Sequence, residues 1–327
     1  MRVAWLGGIC ACLALAGLGL HLGVRVYAPG QVWAALTQDG RDTASIIIRD
    51  LRVPRMALAI VVGAALGLAG LLMQSVTRNP IAEPGLLGVN AGAAFAVVVL
   101  ITLAPGASFV TLALVAAFGA LTAAVLVFGL AYAAGGRVSP VQVLLAGVTV
   151  AALLVAGLQV LIILNEAVLE ELLFWLSGSF ADRPVTGLWL AIGALTLGVA
   201  LALAFSGALD VLQTDAATAT SLGVPVLRLR FGMLAVAALL AGVSVALAGP
   251  VAFLGLVAPH LARLCGAVRH RDLIPLSLIF GVALGLAADL VARFILFPTE
   301  APISAVMALL GVPLLVTLLR RNRLLLA

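Results

Sequence analysis

Arg49, Arg52 and Arg55 recur at every third position in "IIIRDLRVPRMALAIVVGAALGLAG", directly before a long uncharged apolar run, with Arg25 and Arg41 a little upstream. Their chemistry is electrostatic, and its meaning depends on which side of a membrane they face and what they meet there. Other reactive residue types are sparse. His21, His260 and His270 fall near the ends of different apolar runs, Cys10 and Cys12 point to different faces of one helix, and Cys265 is remote. No HExxH or CxxC spacing is present, so no metal set is spelled out. The chain also contains no lysine. A phosphate-binding GxxxxGK[ST] loop needs its lysine to reach the terminal phosphates, so this chain does not hydrolyse ATP by that machinery.

The elements that carry these residues follow from composition. Of 327 residues 64% are hydrophobic and 9% charged, which leaves too little polar surface to cover a soluble domain. An all-α integral membrane protein is expected, forming one transmembrane domain over 1–327. Crossing the hydrocarbon takes about 20 apolar residues as a helix. Charge-free runs cover 3–20, 56–73, 84–136, 138–165, 184–209, 231–259, 273–288 and 301–319. The 84–136 run divides at "APGAS", and 231–259 divides at Gly249-Pro250 with a further helix running toward Cys265, which makes ten helices in all. The runs are continuous rather than alternating, which excludes barrel strands.

Orientation follows from the arginines. With the N-terminus inside, inner segments hold Arg2, Arg78, Arg137, Arg228, Arg230, Arg263, Arg269, Arg271, Arg320, Arg321 and Arg323. Outer segments hold Arg25, Arg41, Arg49, Arg52, Arg55, Arg183 and Arg293. Beyond residue 55 the split is ten against two, a positive-inside pattern with both termini cytoplasmic. The anomaly is the first outer loop, 25–55, whose arginines need a reason to face outward. The opening twenty residues also have the charged start and apolar core of a secretory signal. That reading is set aside because the core is long and no small-x-small cleavage site precedes a polar segment.

Two inner segments stand out. "RNPIAEPGLLGVNAGAAF" (78–95) breaks helix with two prolines and three glycines. Irregular backbone near a membrane must line a cavity or pack on protein, so it is a candidate gate, with an ordinary turn as the alternative that composition leaves open. The second, 206–230, is the longest inner connection and carries a short Ala/Thr-rich helix pattern closed by Gly223 and Pro225. Such a helix on the cytoplasmic face suits a cleft in another subunit, or is a plain connector. Gly63 with Gly67, and Gly281 with Gly285, form small-xxx-small faces. The echo between "GAALGLAG" (63–70) and "GVALGLAA" (281–288) hints at a repeat. Asp289 stands one turn before Arg293, spaced for an i,i+4 pair.

"RVPR" (52–55), "RNPIAEPGLLGVNAGA" (78–93), "LLAGV" (144–148), "FWLSGSF" (174–180), "LGVP" (222–225), "AGPVAFLGLVAPHLARLCG" (248–266), "ADLVAR" (288–293) and "LGVPLLVTLLRR" (310–321) occur in this order. Together they resemble the membrane permeases of binding-protein-dependent ABC importers for iron-siderophores, haem and vitamin B12. The resemblance implies a homodimer or a pair with a sister chain, ten helices per subunit, and a cargo path along the dimer axis. It further implies two ATPase subunits carrying the ATP and Mg, a periplasmic or surface-anchored substrate-binding protein, and a place in the bacterial cytoplasmic membrane. No cofactor is implied for this chain, and no nucleic acid.

By position, Arg52, Arg55 and Arg293 match arginines that meet glutamates on the binding protein. Asn79, Ile81, Pro140 and Val141 match the cytoplasmic constriction. The 206–230 segment, with Asp215, Ala219, Leu222, Gly223 and Pro225, matches the ATPase-coupling helices. It departs from relatives in having Ala216 and Ala217 where a pair of acidic residues is common, so the resemblance does not extend to those acidic contacts. Exposed ion pairs contribute about 0.2–1 kcal/mol each, whereas micromolar binding needs about 8 kcal/mol. The docking charges are therefore expected to set register and encounter rate more than affinity. Glu166, Glu170 and Glu171 ahead of Trp175 are either a solvated helix face or a contact for cargo or binding protein. "WLSGSF" resembles siderophore permeases more than B12 permeases, and haem remains a rival cargo. An ion-coupled secondary transporter using Glu83 or Asp289 is the main different-class reading. A membrane-embedded enzyme ranks last, since no nucleophile, base or metal set clusters in the sequence.

Overall fold

The structure, a computed structural model, describes residues 2–38, 40–133, 140–164, 169, 172–173, 176, 178–181, 187–214, 216–297 and 299–324. Among these all regular structure is helical. In chain order the helices are α1 (Arg2–His21), α2 (Pro29–Thr37), α3 (Thr43–Ile46), α4 (Val53–Thr77), α5 (Val89–Leu103), α6 (Phe109–Ala133) and α7 (Pro140–Leu164). They continue with α8 (Leu188–Ala204), α9 (Ser206–Leu212), α10 (Ala216–Ser221), α11 (Val226–Ala248), α12 (Leu254–Leu264), α13 (His270–Phe294) and α14 (Ile303–Leu324).

Among the described residues six helices are long and apolar enough to cross a membrane, and a seventh counts if α8 and α9, bent by 62° at Phe205, are one span. The apolar stretches Val89–Leu103, Leu254–Leu264 and Ile303–Pro313 are shorter. At 1.5 Å per residue these fall short of a hydrocarbon core about 30 Å thick. The multi-pass, all-helical class therefore stands, while length and composition alone give six or seven spans rather than the ten expected.

The expected outer loop 25–55 is mostly helix. α3 runs through a π-helical turn, Ile47–Arg52, straight into α4. The π winding has a local cause. Pro54 lacks an N–H, and Val53 donates to Ile48 five residues back. Between the arginines lie apolar residues that pack inward: Ile48 is fully buried in a small core of its own with Tyr27, Val32 and Ala35. α13 likewise outruns its apolar segment, because Asp289 and Arg293 near its end are paired.

α4 is the axis of the molecule, buried at every position from Val61 to Thr77. It packs against α13, α11, α12 and α8, while α5, α6 and α7 form a second group joined to it through α11. The two small-residue faces read from the sequence meet each other. A Cβ on Gly63 would sit 2.5 Å from the Gly281 carbonyl oxygen, and one on Gly285 2.7 Å from that of Ala59. α4 and α13 therefore run antiparallel in backbone contact, with residue numbers rising along one as they fall along the other. α7 by contrast is barely covered, and Leu145, Val148, Leu153 and Val160 are exposed along it.

Candidate functional site

At one end of the α4–α13 pair the three singled-out arginines converge. Arg55 donates from Nε to Asp289 Oδ1 and from Nη1 to Glu300 Oε1, both at 2.6 Å. Arg293 pairs with the other oxygen of Asp289. Its Nη1 donates to the carbonyls of Gly19 at 2.8 Å and Leu22 at 3.1 Å. Arg52 donates to the carbonyls of Leu20 at 2.6 Å and Arg25 at 2.5 Å, and lies 4.9 Å over the Tyr27 ring. The acceptors on α1 belong to its last turn, where carbonyls lack helical partners and the helix dipole is negative. Arg52 and Arg293 thus cap α1. Gly23 makes room for this, since a Cβ there would lie 2.7 Å from Arg52 Nη2.

All three arginines are buried, against the expectation of exposed side chains. The physical reason is the supply of internal acceptors, which lets charge be buried at a tolerable desolvation cost. They nevertheless line a cavity of about 370 Å³ together with the exposed Arg25 and Glu300. Four guanidiniums face two carboxylates, Asp289 and Glu300, so the cavity keeps a positive excess. Rigid, preorganised donors in that setting suit acidic groups arriving from outside.

At the opposite end α4 stops at Arg78, held in the left-handed region at φ 50°. The following segment is irregular, as its prolines and glycines require, with one 3-10 turn at Pro84–Leu87. Asn79 Oδ1 accepts the Ile81 N–H at 3.1 Å, which shapes the turn. Asn79 shares a small cleft with Val143 and Leu144 of α7, while Ile81 and Val141 are exposed and Pro140 opens α7. The four residues expected at the constriction are thus brought to neighbouring elements. Glu83 Oε2 accepts the N–H of Phe253 at 3.2 Å, where the chain enters α12 with Phe253 at φ 65°. Burial pushes the Glu83 carboxyl above its usual range, and the Phe253 N–H partly offsets this.

The 206–230 connection lies at this same end. It comprises α9 and α10 followed by a turn at Gly223, φ 81°, with Pro225 leading into α11. Ala219 is fully buried, whereas Leu222 is 65% exposed at the tip. Arg78 Nη1 donates to the Thr214 carbonyl at 2.6 Å, tying the irregular segment after α4 to this connection. Asp215, like Glu166, Glu170, Glu171 and Trp175, lies outside the described residues. His260 bonds the Leu256 carbonyl one turn back at 2.9 Å, a local role within its own helix. Sequence reasoning missed Glu300, Tyr27 and the carbonyl end of α1 as partners of the arginines. No spacing rule could have found them, since Glu300 is 245 residues from Arg55.

The profile of the FecCD transport family matches residues 10–321. The ferric enterobactin transport system permease protein FepD of Escherichia coli is 39% identical over 317 residues, covering 96% of this chain and 94% of that protein. The vitamin B12 import system permease protein BtuC of Klebsiella pneumoniae is 35% identical over 322 residues, covering 98% and 94%. Among solved structures, an inward-facing metal-chelate type ABC transporter superposes with a TM-score of 0.84 at 28% identity over 98% of this chain and 99% of that one. With a match running from the middle of α1 to the end of α14, this multi-pass chain belongs to the FecCD transport family, a family of transport permease subunits.

Proposed function

We propose that this protein is the permease subunit of an ATP-driven importer and carries a ferric siderophore across the bacterial cytoplasmic membrane. The observation that carries the reading is the full-length match to permeases such as FepD. In this reading the chain has ten spans, the three short apolar helices included, and both termini face the cytoplasm. The positive-inside count supports that orientation. The arginine cavity then opens outward, where Arg52, Arg55 and Arg293 receive acidic residues of a substrate-binding protein. The gate residues Asn79, Ile81, Pro140 and Val141 face inward, and the 206–230 connection seats an ATPase that carries ATP and Mg.

A second copy completes the cargo path. The barely covered, apolar α7 supports a partner along that face. Cobalamin is the second cargo reading, favoured by the likeness to BtuC. The test is uptake into proteoliposomes holding the permease, its ATPase and its binding protein, with ferric siderophore, haem and cobalamin compared. ATP-dependent uptake of the ferric siderophore is expected, with none when either companion is omitted. Uptake by the permease alone that a protonophore collapses would favour the ion-coupled transporter and end this proposal.

A further inference from the structure

At the gate end of α4 three residues far apart in sequence form one hydrogen-bonded chain. His270, the first residue of α13, approaches Asp210 Oδ1 of α9 through Nδ1 at 2.6 Å, and through Nε2 it approaches Ser75 Oγ of α4 at 2.7 Å. The His270 backbone N–H also donates to Asp210 Oδ1, at 2.8 Å. His270 is 1% exposed and Ser75 2%. The connectivity is that of a hydrolase triad. Catalysis is excluded by burial, because Ser75 sits within a packed helix with its Oγ also bonded to the Leu71 carbonyl at 2.8 Å, leaving no approach for an acyl group.

Proton counting shows the link to be robust. Asp210 accepts, so the ring carries a proton on Nδ1. Nε2 then either accepts from the Ser75 hydroxyl, or donates to Ser75 Oγ while that hydroxyl turns to Leu71. Both arrangements keep the bridge. Further bonds lie beside it: Gln213 Nε2, just after α9, donates to the Ser75 carbonyl of α4 at 3.1 Å, and Arg263 Nη1 of α12 donates to Gln74 Oε1 of α4 at 2.6 Å. Leu209 and Leu212 of α9 are fully buried beside them. The coupling connection is therefore joined, through Asp210 and His270, to the two helices whose other ends hold Arg55, Asp289 and Arg293. Apolar contacts tolerate sliding, whereas hydrogen bonds weaken steeply with distance and angle. A displacement of α9 is thus delivered to α4 and α13 together.

We infer that Ser75, His270 and Asp210 form a positioning bridge that transmits movement between the ATPase-facing connection and the α4–α13 pair, and that through it an event at the arginine cavity alters ATP turnover. The inference rests on the proposed role as an importer permease, so the complete wild-type complex comes first. If its ATPase activity shows no response to the binding protein, it is that role which fails, not the bridge.

In a responsive complex, Ser75→Ala removes one oxygen, and His270→Asn keeps an amide near the Nδ1 position but is too short to reach Ser75. Each is expected to leave the ATPase bound and basal hydrolysis within about twofold, while stimulation by the binding protein falls by about fivefold or more. The double variant should lose no more than either single one, as for members of one chain. Unchanged stimulation in Ser75→Ala, additive losses in the double variant, or release of the ATPase would each overturn the bridge. Ser75→Ala alone decides the matter if His270→Asn does not fold.

Discussion

The two ends of the α4–α13 pair solve the same problem in opposite ways. Both bury polar side chains where helices from distant parts of the chain meet. The arginine end does it with formal charges beside an open cavity, Arg55 and Arg293 sharing Asp289, Arg55 also holding Glu300, and Arg52 bonded to backbone carbonyls. The opposite end does it with a hydrogen-bonded chain, Ser75, His270 and Asp210, reinforced by Gln213, Gln74 and Arg263. Between them the helices touch backbone to backbone through Gly63 and Gly281. An end with surplus positive charge and a half-exposed carboxylate can exchange partners. An end whose donors and acceptors bond one another across three helices, with Ser75 and His270 buried, moves as a block.

The comparison breaks most severely at Asp289, a carboxylate that two buried arginines share. Removing one partner of a buried pair costs about 3–5 kcal/mol, because the other charge is left uncompensated. Asp289→Ala is expected to lose at least that much, read as a large drop in the melting temperature of the purified protein. A loss near zero would mean that Arg55 and Arg293 find water or Glu300 instead, and that the arginine end is not a buried network.

The middle of the pair is the next place to strain. A Cβ on Gly70 would lie 1.7 Å from the Gly255 carbonyl oxygen of α12, backbone that has no rotamer to change. Overpacking of this kind costs about 1–3 kcal/mol, so Gly70→Ala should lower thermal stability, whereas Gly17→Ala, with nothing within 4 Å, should not. Equal stability of the two would remove the argument that α4 is clamped along its length.

Glu300 sharpens the contrast by testing partner exchange. Its carboxylate occupies a seat on Arg55 that a binding-protein glutamate would take, and its side chain is 42% exposed. Glu300→Gln should tighten binding-protein association by about two- to fivefold, in keeping with the small worth of a half-exposed pair, and most clearly at low salt. Weakened association would show that Glu300 holds Arg55 in place for docking rather than competing with it. Arg25→Glu, at the exposed rim, should act in the other direction and chiefly on the association rate.

Much of the architecture was legible because its signals are local. Apolar runs gave the helices, and the i,i+4 spacing gave Asp289–Arg293. Proline and glycine marked the break after α4, where the structure places an irregular turn. What was hidden is long-range. Gly63 and Gly281 each advertise a small face, but nothing in their spacing says that the two faces meet. The arginines were legible as a cluster and misread as exposed, because the acceptors that bury them are the end of α1 and residues near the C-terminal side of α13. Ile48 shows why 25–55 was taken for a loop. Five charges from 41 to 52 mask an apolar face that closes a second, small core.

The smallest expected effect is at Glu83, and it separates the two transport readings. As a proton carrier Glu83 would need to titrate in turnover, and Glu83→Gln would abolish uptake. The geometry gives it another task, accepting the Phe253 N–H at the start of α12, which a neutral amide oxygen can also do. Uptake by the assembled system is therefore expected to stay within about twofold in Glu83→Gln. Stability should show the sign of the raised pKa. With the buried carboxyl titrating above its ordinary range in the folded state, that state holds its proton where the unfolded chain has released it. Stability then falls as pH rises from the unfolded value through the folded one. The glutamine variant lacks that loss, so its melting temperature should match the wild type in acid and equal or exceed it at neutral pH. A wild-type advantage that grows with pH would mean the ionised carboxylate has a cationic partner, and the reading of Glu83 as a cap on α12 would fall.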